Sequence, residues 1–209
     1  MSKPLPALNM PRSCFSTESN KTGSWRFLRP RYDEKTSPCS ASCPAGEDIA
    51  RIQMLTVQGL FKEAWETILL ENPLPGVCGR VCFHPCEAAC NRIEFDSGIS
   101  IHTIERFLAD TAARYDLKSS ISAAPARKEK AAIIGAGPAG LSAAWFLNRL
   151  GYSCDIFEAA EEPGGILRWG IPQYRLPLAV LNSEFARIVS AGADGSAGTK
   201  IETGKAAGP

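Results

Sequence analysis

Long apolar runs are missing from the sequence: none reaches the roughly 20 residues that a transmembrane helix needs. An excess of one charge is missing too, since 23 Lys and Arg residues face 22 Asp and Glu residues. This balance gives no reason to expect nucleic acid or an anionic membrane as the main partner. Residues 1–11 contain three prolines and no apolar segment, so no secretory signal is predicted. We therefore expect a cytoplasmic protein, in which thiols stay reduced.

Cysteine, by contrast, is abundant, with eight residues in the chain. Six of them lie in one stretch: Cys39, Cys43, Cys78, Cys82, Cys86 and Cys90. In a reducing compartment such clustering indicates metal binding or redox chemistry more than disulfide bonds. Cys154 lies in a predicted buried strand and is interpreted as a small core residue.

Composition and periodicity divide the chain into four parts. We predict an extended arm, a helical domain, a polar linker and the first part of a dinucleotide-binding domain, over residues 1–38, 39–118, 119–129 and 130–209. In the helical domain, apolar residues recur at i, i+3 and i+4, which predicts amphipathic helices over 47–58, 60–71 and 99–115. The stretch from Asn72 to Gly76 contains two prolines and is predicted to be a break.

The character of the chain changes at Lys130. A short apolar strand over 131–134, a glycine-rich turn, a helix over 138–150 and a strand over 153–158 make a βαβ unit, which implies a parallel sheet. A further helix is predicted over 177–191. Residues 192–209, rich in Gly, Ala, Lys and Thr, are expected to pack poorly, and we expect the chain to be a fragment of a longer protein.

The six clustered cysteines are best explained as ligands of iron–sulfur clusters, which thiolates hold in groups of four. Short spacings within Cys39–Cys43 and within Cys78–Cys90 allow a turn or a helix start to bring several sulfurs together. A structural zinc site made of four cysteines, or of three with His84, is an alternative, and disulfides are a second one.

A G-x-G-x-x-G motif follows the first strand and opens the next helix, which is the context of a dinucleotide-binding turn. Its residues are Gly135, Ala136, Gly137, Pro138, Ala139 and Gly140. Glu158 ends the second strand at the position of the acid that binds ribose hydroxyls. Gly164 and Gly165 supply a second place where backbone could approach a cofactor. The motif alone leaves FAD and NAD(P) both open.

Taken together, these motifs resemble the small (beta) subunit of glutamate synthase and its relatives, which include the N-terminal region of dihydropyrimidine dehydrogenase. The matching segments are Cys39-x3-Cys43-Pro44, Asn72–Pro75, Cys78–Cys82, Cys86-x3-Cys90, Gly135–Leu141, Gly164–Gly165 and Gly170–Pro177. The resemblance implies an α + α/β fold, in which a helical [4Fe–4S] domain of the alpha-helical ferredoxin type precedes a partial Rossmann-like FAD-binding βαβ domain.

The resemblance also implies ligands. Cys43, Cys82, Cys86 and Glu105 would bind one cluster, although the sequence pattern by itself places Glu105 on a helix surface. Cys39 and Cys90 match ligands of a second cluster, with Cys78 as a further candidate. Many relatives have two more cysteines upstream, where this chain has Arg31 and Glu34. For FAD, Glu158 matches the ribose acid, and the remaining contacts would come from Gly165, Ile166, Arg175 and Ile201.

The function implied is electron transfer between NAD(P)H, FAD and one or two [4Fe–4S] clusters, toward a partner subunit or protein. The NAD(P)H domain is expected beyond the present C-terminus. No residue is predicted to be a catalytic acid, base or nucleophile. Two other readings stay open: an iron–sulfur docking module without flavin activity, and a zinc-stabilised interaction domain.

Overall fold

The computed structural model describes residues 36–190 and 199–203, so the predicted arm lies almost entirely outside the described residues. The helical part comes first. Its helices are α1 (Pro38–Ala41), α2 (Ile49–Val57), α3 (Phe61–Leu69), α4 (Pro75–Val81), α5 (Pro85–Ala88) and α6 (Ile101–Arg114), with a 3₁₀ turn at Asn91–Glu94 between the last two. The predicted amphipathic helices are confirmed as α2, α3 and α6.

The second part is the predicted βαβ unit with three additional elements. Strand β1 (Lys130–Ile134), helix α7 (Pro138–Arg149) and strand β2 (Ser153–Glu158) are followed by α8 (Ile166–Trp169), α9 (Leu178–Ser190) and β3 (Thr199–Thr203). The three strands are parallel in the order β1-β2-β3, and Ile156 of β2 lies opposite Ile133 and Ile201. The predicted fold class, a helical domain followed by a short Rossmann-like region, is confirmed.

Two elements differ from the sequence expectation. The predicted break at Asn72–Gly76 ends inside a helix, because Pro75 occupies the first turn of α4, where a missing N–H and a fixed φ are tolerated. Strand β3 lies in a stretch that was expected to pack poorly. It forms because β2 offers an open edge with which it pairs from Cys154 to Glu158.

Helices α4 and α6 are in close contact at Gly79. A Cβ atom on this residue would lie 2.6 Å from the backbone nitrogen of Arg106, nearer than real Cβ atoms come. Glycine is therefore required for the two helices to approach this closely. Their contact brings Cys78, inside α4, and Cys82, directly after it, toward the middle of α6.

One apolar core joins the two parts. It includes Trp65 and Ile68 from α3, Leu141 from α7, Ile156 from β2 and Ile188 from α9. Between the two parts, the predicted linker runs along the end of α7, where the backbone N–H of Ala124 donates to the carbonyl of Arg149. Among the described residues, none of the helices combines the length and the apolar character that crossing a membrane would require.

Candidate metal and dinucleotide sites

The six clustered cysteines lie on or beside short helices that each begin with proline. Cys39 lies in α1, Cys78 in α4 and Cys86 in α5, and Pro38, Pro75 and Pro85 occupy the first turns of these helices. The remaining three come directly after helices or turns: Cys43, Cys82 and Cys90. A proline in the first turn prevents each helix from extending further toward the N-terminus. The helices therefore stay short, and the turns between them bring distant cysteines together.

Three of the cysteines meet around two isoleucines. Cys86 is buried with Ile49 and Ile101, and Cys39 and Cys43 pack against this small cluster. Burial and the neighbouring Cys43 thiol raise the pKa of Cys86 to about 12. Burial also raises the pKa of Cys82, with Glu105 and Cys43 contributing. Cys43, Cys82 and Cys86 are thus electrostatic neighbours.

Glu105, the fourth ligand that the resemblance implies, is buried. Although the helical pattern suggests a surface position, its residue exposure is 8%. Its Oε1 accepts a hydrogen bond of 2.8 Å from Nδ2 of Asn72, and the same amide donates to Oε1 of Glu47 at 2.8 Å. Burial, together with Glu47 and Glu184, raises the pKa of Glu105 well above its usual range.

Cys78 approaches the same group from α4. Its thiol donates to Oδ1 of Asn72 at 3.6 Å, and burial raises the pKa of the thiol, with Glu105 as the next contribution. The thiol of Cys78 and the carboxyl of Glu105, whose pKa values are both raised, are therefore neighbours. A bound cation would favour their anionic forms, so metal loading is expected to release protons.

The distances between the cysteine sulfurs distinguish a zinc site from an iron–sulfur cluster. In a tetrahedral zinc site, sulfurs 2.3 Å from the ion lie about 3.8 Å from one another. Within residues 36–190 and 199–203, no three cysteine sulfurs lie within 4.8 Å of one another. A cluster places irons and sulfides between its cysteine sulfurs and suits a wider arrangement, so the donor set fits an iron–sulfur cluster better than zinc. Every described cysteine is a free thiol, which also disfavours the disulfide reading.

The second cluster is supported by fewer described residues. Cys90 is buried after α5, and the Cys39 thiol donates to Oγ of Ser37 at 3.2 Å. Arg31 and Glu34, at the positions where relatives have further cysteines, lie outside the described residues. The roles of Cys39, Cys78 and Cys90 stay predictions, as do those of Cys43, Cys82, Cys86 and Glu105.

The glycine-rich turn lies at the carboxyl end of β1 and leads directly into α7. Gly135 has a φ of 97°, and Gly137 precedes α7 without a side-chain cap, so the N–H groups of the first turn face outward. A Cβ atom on Gly140 would lie 2.0 Å from the carbonyl oxygen of Gly135, which fixes glycine at that position. This arrangement provides N–H donors and a helix dipole for a pyrophosphate group.

Glu158 connects β2 to this turn. Its Oε2 accepts from the backbone N–H of Ala136 at 2.7 Å, and its Oε1 accepts from Ala160 at 3.0 Å. These hydrogen bonds lower the pKa of Glu158, so it is an anion at neutral pH. The second glycine pair lies at the same place, because the N–H of Gly164 donates to the carbonyl of Ala136 at 2.9 Å. The turn, Glu158 and Gly164 form one surface.

The remaining predicted FAD contacts have different surroundings. Ile166 begins α8 directly after Gly165 and is largely exposed, and Arg175 is exposed in the segment between α8 and α9. Ile201 in β3 packs against the main core beside Ile156. Their predicted roles in flavin binding stay predictions, and the donors at the turn fit a dinucleotide of either kind.

Glu184 of α9 links the two parts of the molecule. Its Oε1 accepts from the backbone N–H of Gly76, in the first turn of α4, at 2.6 Å, and its other oxygen pairs with Arg187. The Arg187 guanidinium also donates to the carbonyl of Pro73 and lies 5.0 Å from the ring centre of Trp145. A buried ion pair thus fastens the helix of the α/β part to the helix that carries Cys78.

Sequence reasoning missed Glu47, Asn72 and Glu184. Asn72 was interpreted as part of a break, Glu47 as part of a helix start, and Glu184 as part of the helix predicted over 177–191. The sequence offers only one weak signal for them: an acid or amide directly beside a proline-containing segment, as at Asn72-Pro73.

Fold and sites together define a class: an iron–sulfur domain fused to a Rossmann-like dinucleotide-binding domain. Comparison with protein families agrees. Residues 31–117 match the family described as dihydropyrimidine dehydrogenase domain II, 4Fe-4S cluster. Residues 133–181 match the NAD(P)-binding Rossmann-like domain. Both matches confirm the resemblance deduced from the motifs.

Individual relatives include subunits of three oxidoreductases. The beta subunit of NADPH-Fe(3+) oxidoreductase from Geobacter sulfurreducens is 39% identical over 164 residues, covering 78% of this chain and 24% of that protein. The PreT homolog subunit of NAD-dependent dihydropyrimidine dehydrogenase from Salmonella typhi is 42% identical over 158 residues, covering 75% and 38%. The beta subunit of NADP(+)-dependent formate dehydrogenase from Moorella thermoacetica is 37% identical over 191 residues, covering 79% and 26%. The chain therefore spans less than two fifths of the length of these relatives.

Proposed function

We propose that this chain is the electron-transfer part of an oxidoreductase subunit that moves electrons between NAD(P)H, FAD and a [4Fe–4S] cluster, toward a partner protein. The observations that support the proposal are the packing of Cys43 beside the buried Cys86 and the burial of Glu105. Glu184 fastens this part of the molecule to the domain that carries the dinucleotide-binding turn. When bound, the cluster would supply one-electron transfer and the flavin the exchange between electron pairs and single electrons.

The residues of the chain contribute positioning in this proposal. Cys43, Cys82, Cys86 and Glu105 would hold the cluster, and Asn72 would orient the Glu105 carboxylate through its hydrogen bond of 2.8 Å. The ion pair of Glu184 with Arg187 would fix the distance between the cluster domain and the flavin domain. The hydrogen bond from Asn72 matters because the orientation of a metal ligand depends on the groups that hydrogen-bond to it.

We propose FAD rather than NAD(P) at the Gly135–Gly140 turn. Support comes from Gly164, whose N–H is tied to Ala136, so that a second glycine segment borders the same surface. In the longer relatives' arrangement, NAD(P)H would bind to a separate domain. A partner subunit is proposed because the named relatives are subunits, and a cytoplasmic location because the described cysteines are free thiols.

Anaerobic purification with absorbance spectra and iron, acid-labile sulfide and flavin assays tests the proposal. About four iron and four sulfide per chain would support one cluster, and about eight of each would support two. Bound flavin would support the FAD assignment, and a cluster without flavin would favour the docking module. Zinc without sulfide would overturn the electron-transfer proposal.

A further inference from the structure

The two histidines of the chain lie side by side near the cysteine helices, and neither is among the predicted ligands of the iron–sulfur clusters. His84 precedes α5 and His102 lies in the first turn of α6, and their rings stack with centres 4.3 Å apart. Glu87 of α5 reaches both rings. Its Oε1 is 2.6 Å from Nδ1 of His102, and its Oε2 is 3.6 Å from Nε2 of His84.

The tautomer of His84 is set by its surroundings. Its Nδ1 lies 3.1 Å from the carbonyl oxygen of Cys82, and because a carbonyl can only accept, Nδ1 carries the proton. In neutral His84 the lone pair is then on Nε2, on the side of Glu87. Histidines that bind metals usually donate their other N–H to a backbone carbonyl or a carboxylate in this way.

The local backbone holds these groups in place. His84 has a φ of 46° and a ψ of 60°, a left-handed conformation that non-glycine residues seldom adopt. Glu87 is fixed from the other side, since its Oε1 also accepts from the backbone N–H of His102 at 3.0 Å. Two nitrogens and a carboxylate are therefore held together, and the backbone N–H of His84 in addition donates to Sγ of Cys82 at 3.3 Å.

We propose that His84, Glu87 and His102 form a second metal site, for a divalent ion of the zinc type, separate from the cysteine cluster. Their ligand atoms all lie within 4.8 Å of one another, and this set contains no cysteine. Zinc takes imidazole nitrogen and carboxylate oxygen at about 2.0–2.2 Å and often keeps a water as fourth ligand. The mixed nitrogen and oxygen donors suit zinc, whereas clusters of iron and sulfide are held mainly by thiolates.

Binding requires two local changes. Stacked rings cannot both direct in-plane lone pairs at one ion, so the His102 ring must turn, and its side chain is 35% exposed and has room to do so. The proton that Nδ1 of His102 shares with Glu87 must pass to solvent as the metal binds. Without metal, the hydrogen bonds of Glu87 to the backbone and ring of His102 hold α5 against α6.

The test is a zinc titration of the anaerobically purified, cluster-loaded protein by calorimetry, with iron and sulfide measured before and after. We expect one Zn²⁺ per chain and unchanged iron and sulfide. His102→Ala should weaken zinc binding roughly tenfold or more, as should His84→Ala, which leaves the bonds between Glu87 and α6 intact. The control Glu94→Gln, at an exposed acid on the 3₁₀ turn, should bind zinc like the parent protein.

X-ray absorption at the zinc edge identifies the ligands and does not depend on how a variant folds. Nitrogen and oxygen neighbours without sulfur would support the site. Sulfur neighbours, or zinc uptake accompanied by loss of iron, would assign the zinc to the cysteines and overturn the proposal. Equal zinc binding by the parent and both histidine variants would overturn it as well. This last result would leave the assignment of the cluster unchanged, because iron and sulfide are measured separately.

Discussion

Replacing Glu184 should loosen the attachment between the two parts of the molecule. Its carboxylate is buried, accepts the N–H of Gly76 and pairs with Arg187, which also donates to Pro73. Glu184→Ala leaves the guanidinium and the Gly76 N–H without this acceptor. Breaking a buried ion pair by removing one partner costs about 3–5 kcal/mol. Glu184→Gln keeps an acceptor for Gly76 and loses only the charge, so it should cost about 1–3 kcal/mol.

Urea unfolding followed by tryptophan fluorescence measures this difference, because Trp145 lies against Arg187. With a slope of about 2 kcal/mol/M, Glu184→Ala should lower the midpoint by about 2 M urea. Preparations should be compared at equal iron content, since bound cofactors stabilise the folded state. The matched control is Glu63→Ala, at an exposed acid of α3, which should change stability by about 0.5 kcal/mol or less. A midpoint for Glu184→Ala equal to that of the control would refute the reasoning.

Three further predictions follow from the described contacts. The Cβ of Gly79→Ala would meet the Arg106 backbone at 2.6 Å, so the variant should lose about 1–3 kcal/mol of folding stability and bind less iron. An unchanged midpoint of thermal unfolding together with the parent's iron content would contradict this. Gly140→Ala, at 2.0 Å from the Gly135 carbonyl, should weaken FAD binding in a flavin fluorescence titration, where an unchanged Kd would count against the turn as the site. In cluster-free protein the pKa values of Glu47 and Glu105 lie above the usual 4.5, so their contribution to stability is present below about pH 4.5 and is lost as pH rises through the folded values. Glu105→Gln should flatten this loss in urea midpoints as the pH rises above 4.5, and a variant with the parent's pH slope would show that Glu105 does not titrate in this way.

The sequence was most informative where local pattern and local structure agree. The apolar stripe of α3 and the strand–turn–helix context of Gly135–Gly140 each depend on neighbours within a few residues, so periodicity predicted them. Strand β3 could not be predicted in this way. A strand of low apolar content is stabilised mainly by pairing with its neighbour, and its neighbour β2 lies far away in the sequence.

The site was predicted unevenly for a related reason. The cysteines stand out because of their residue type, and Glu158 because of its distance from the glycine motif. Glu105 was placed near the cluster only by resemblance, since helical periodicity assigns an acid to the surface. Burying carboxylates contradicts ordinary residue preferences, so only the three-dimensional contacts reveal Glu47 and Glu184.

Paired iron and sulfide analysis of cysteine variants tests the central claim, that Cys43, Cys82, Cys86 and Glu105 hold a [4Fe–4S] cluster. Cys154→Ala is the matched control, because Cys154 is a buried cysteine of β2 in the main core, apart from the small cluster that buries Cys86. The proposed ligand set predicts that Cys82→Ala loses about four iron and four sulfide per chain while Cys154→Ala keeps the parent's content. A Cys82→Ala protein with the parent's iron and sulfide would contradict it.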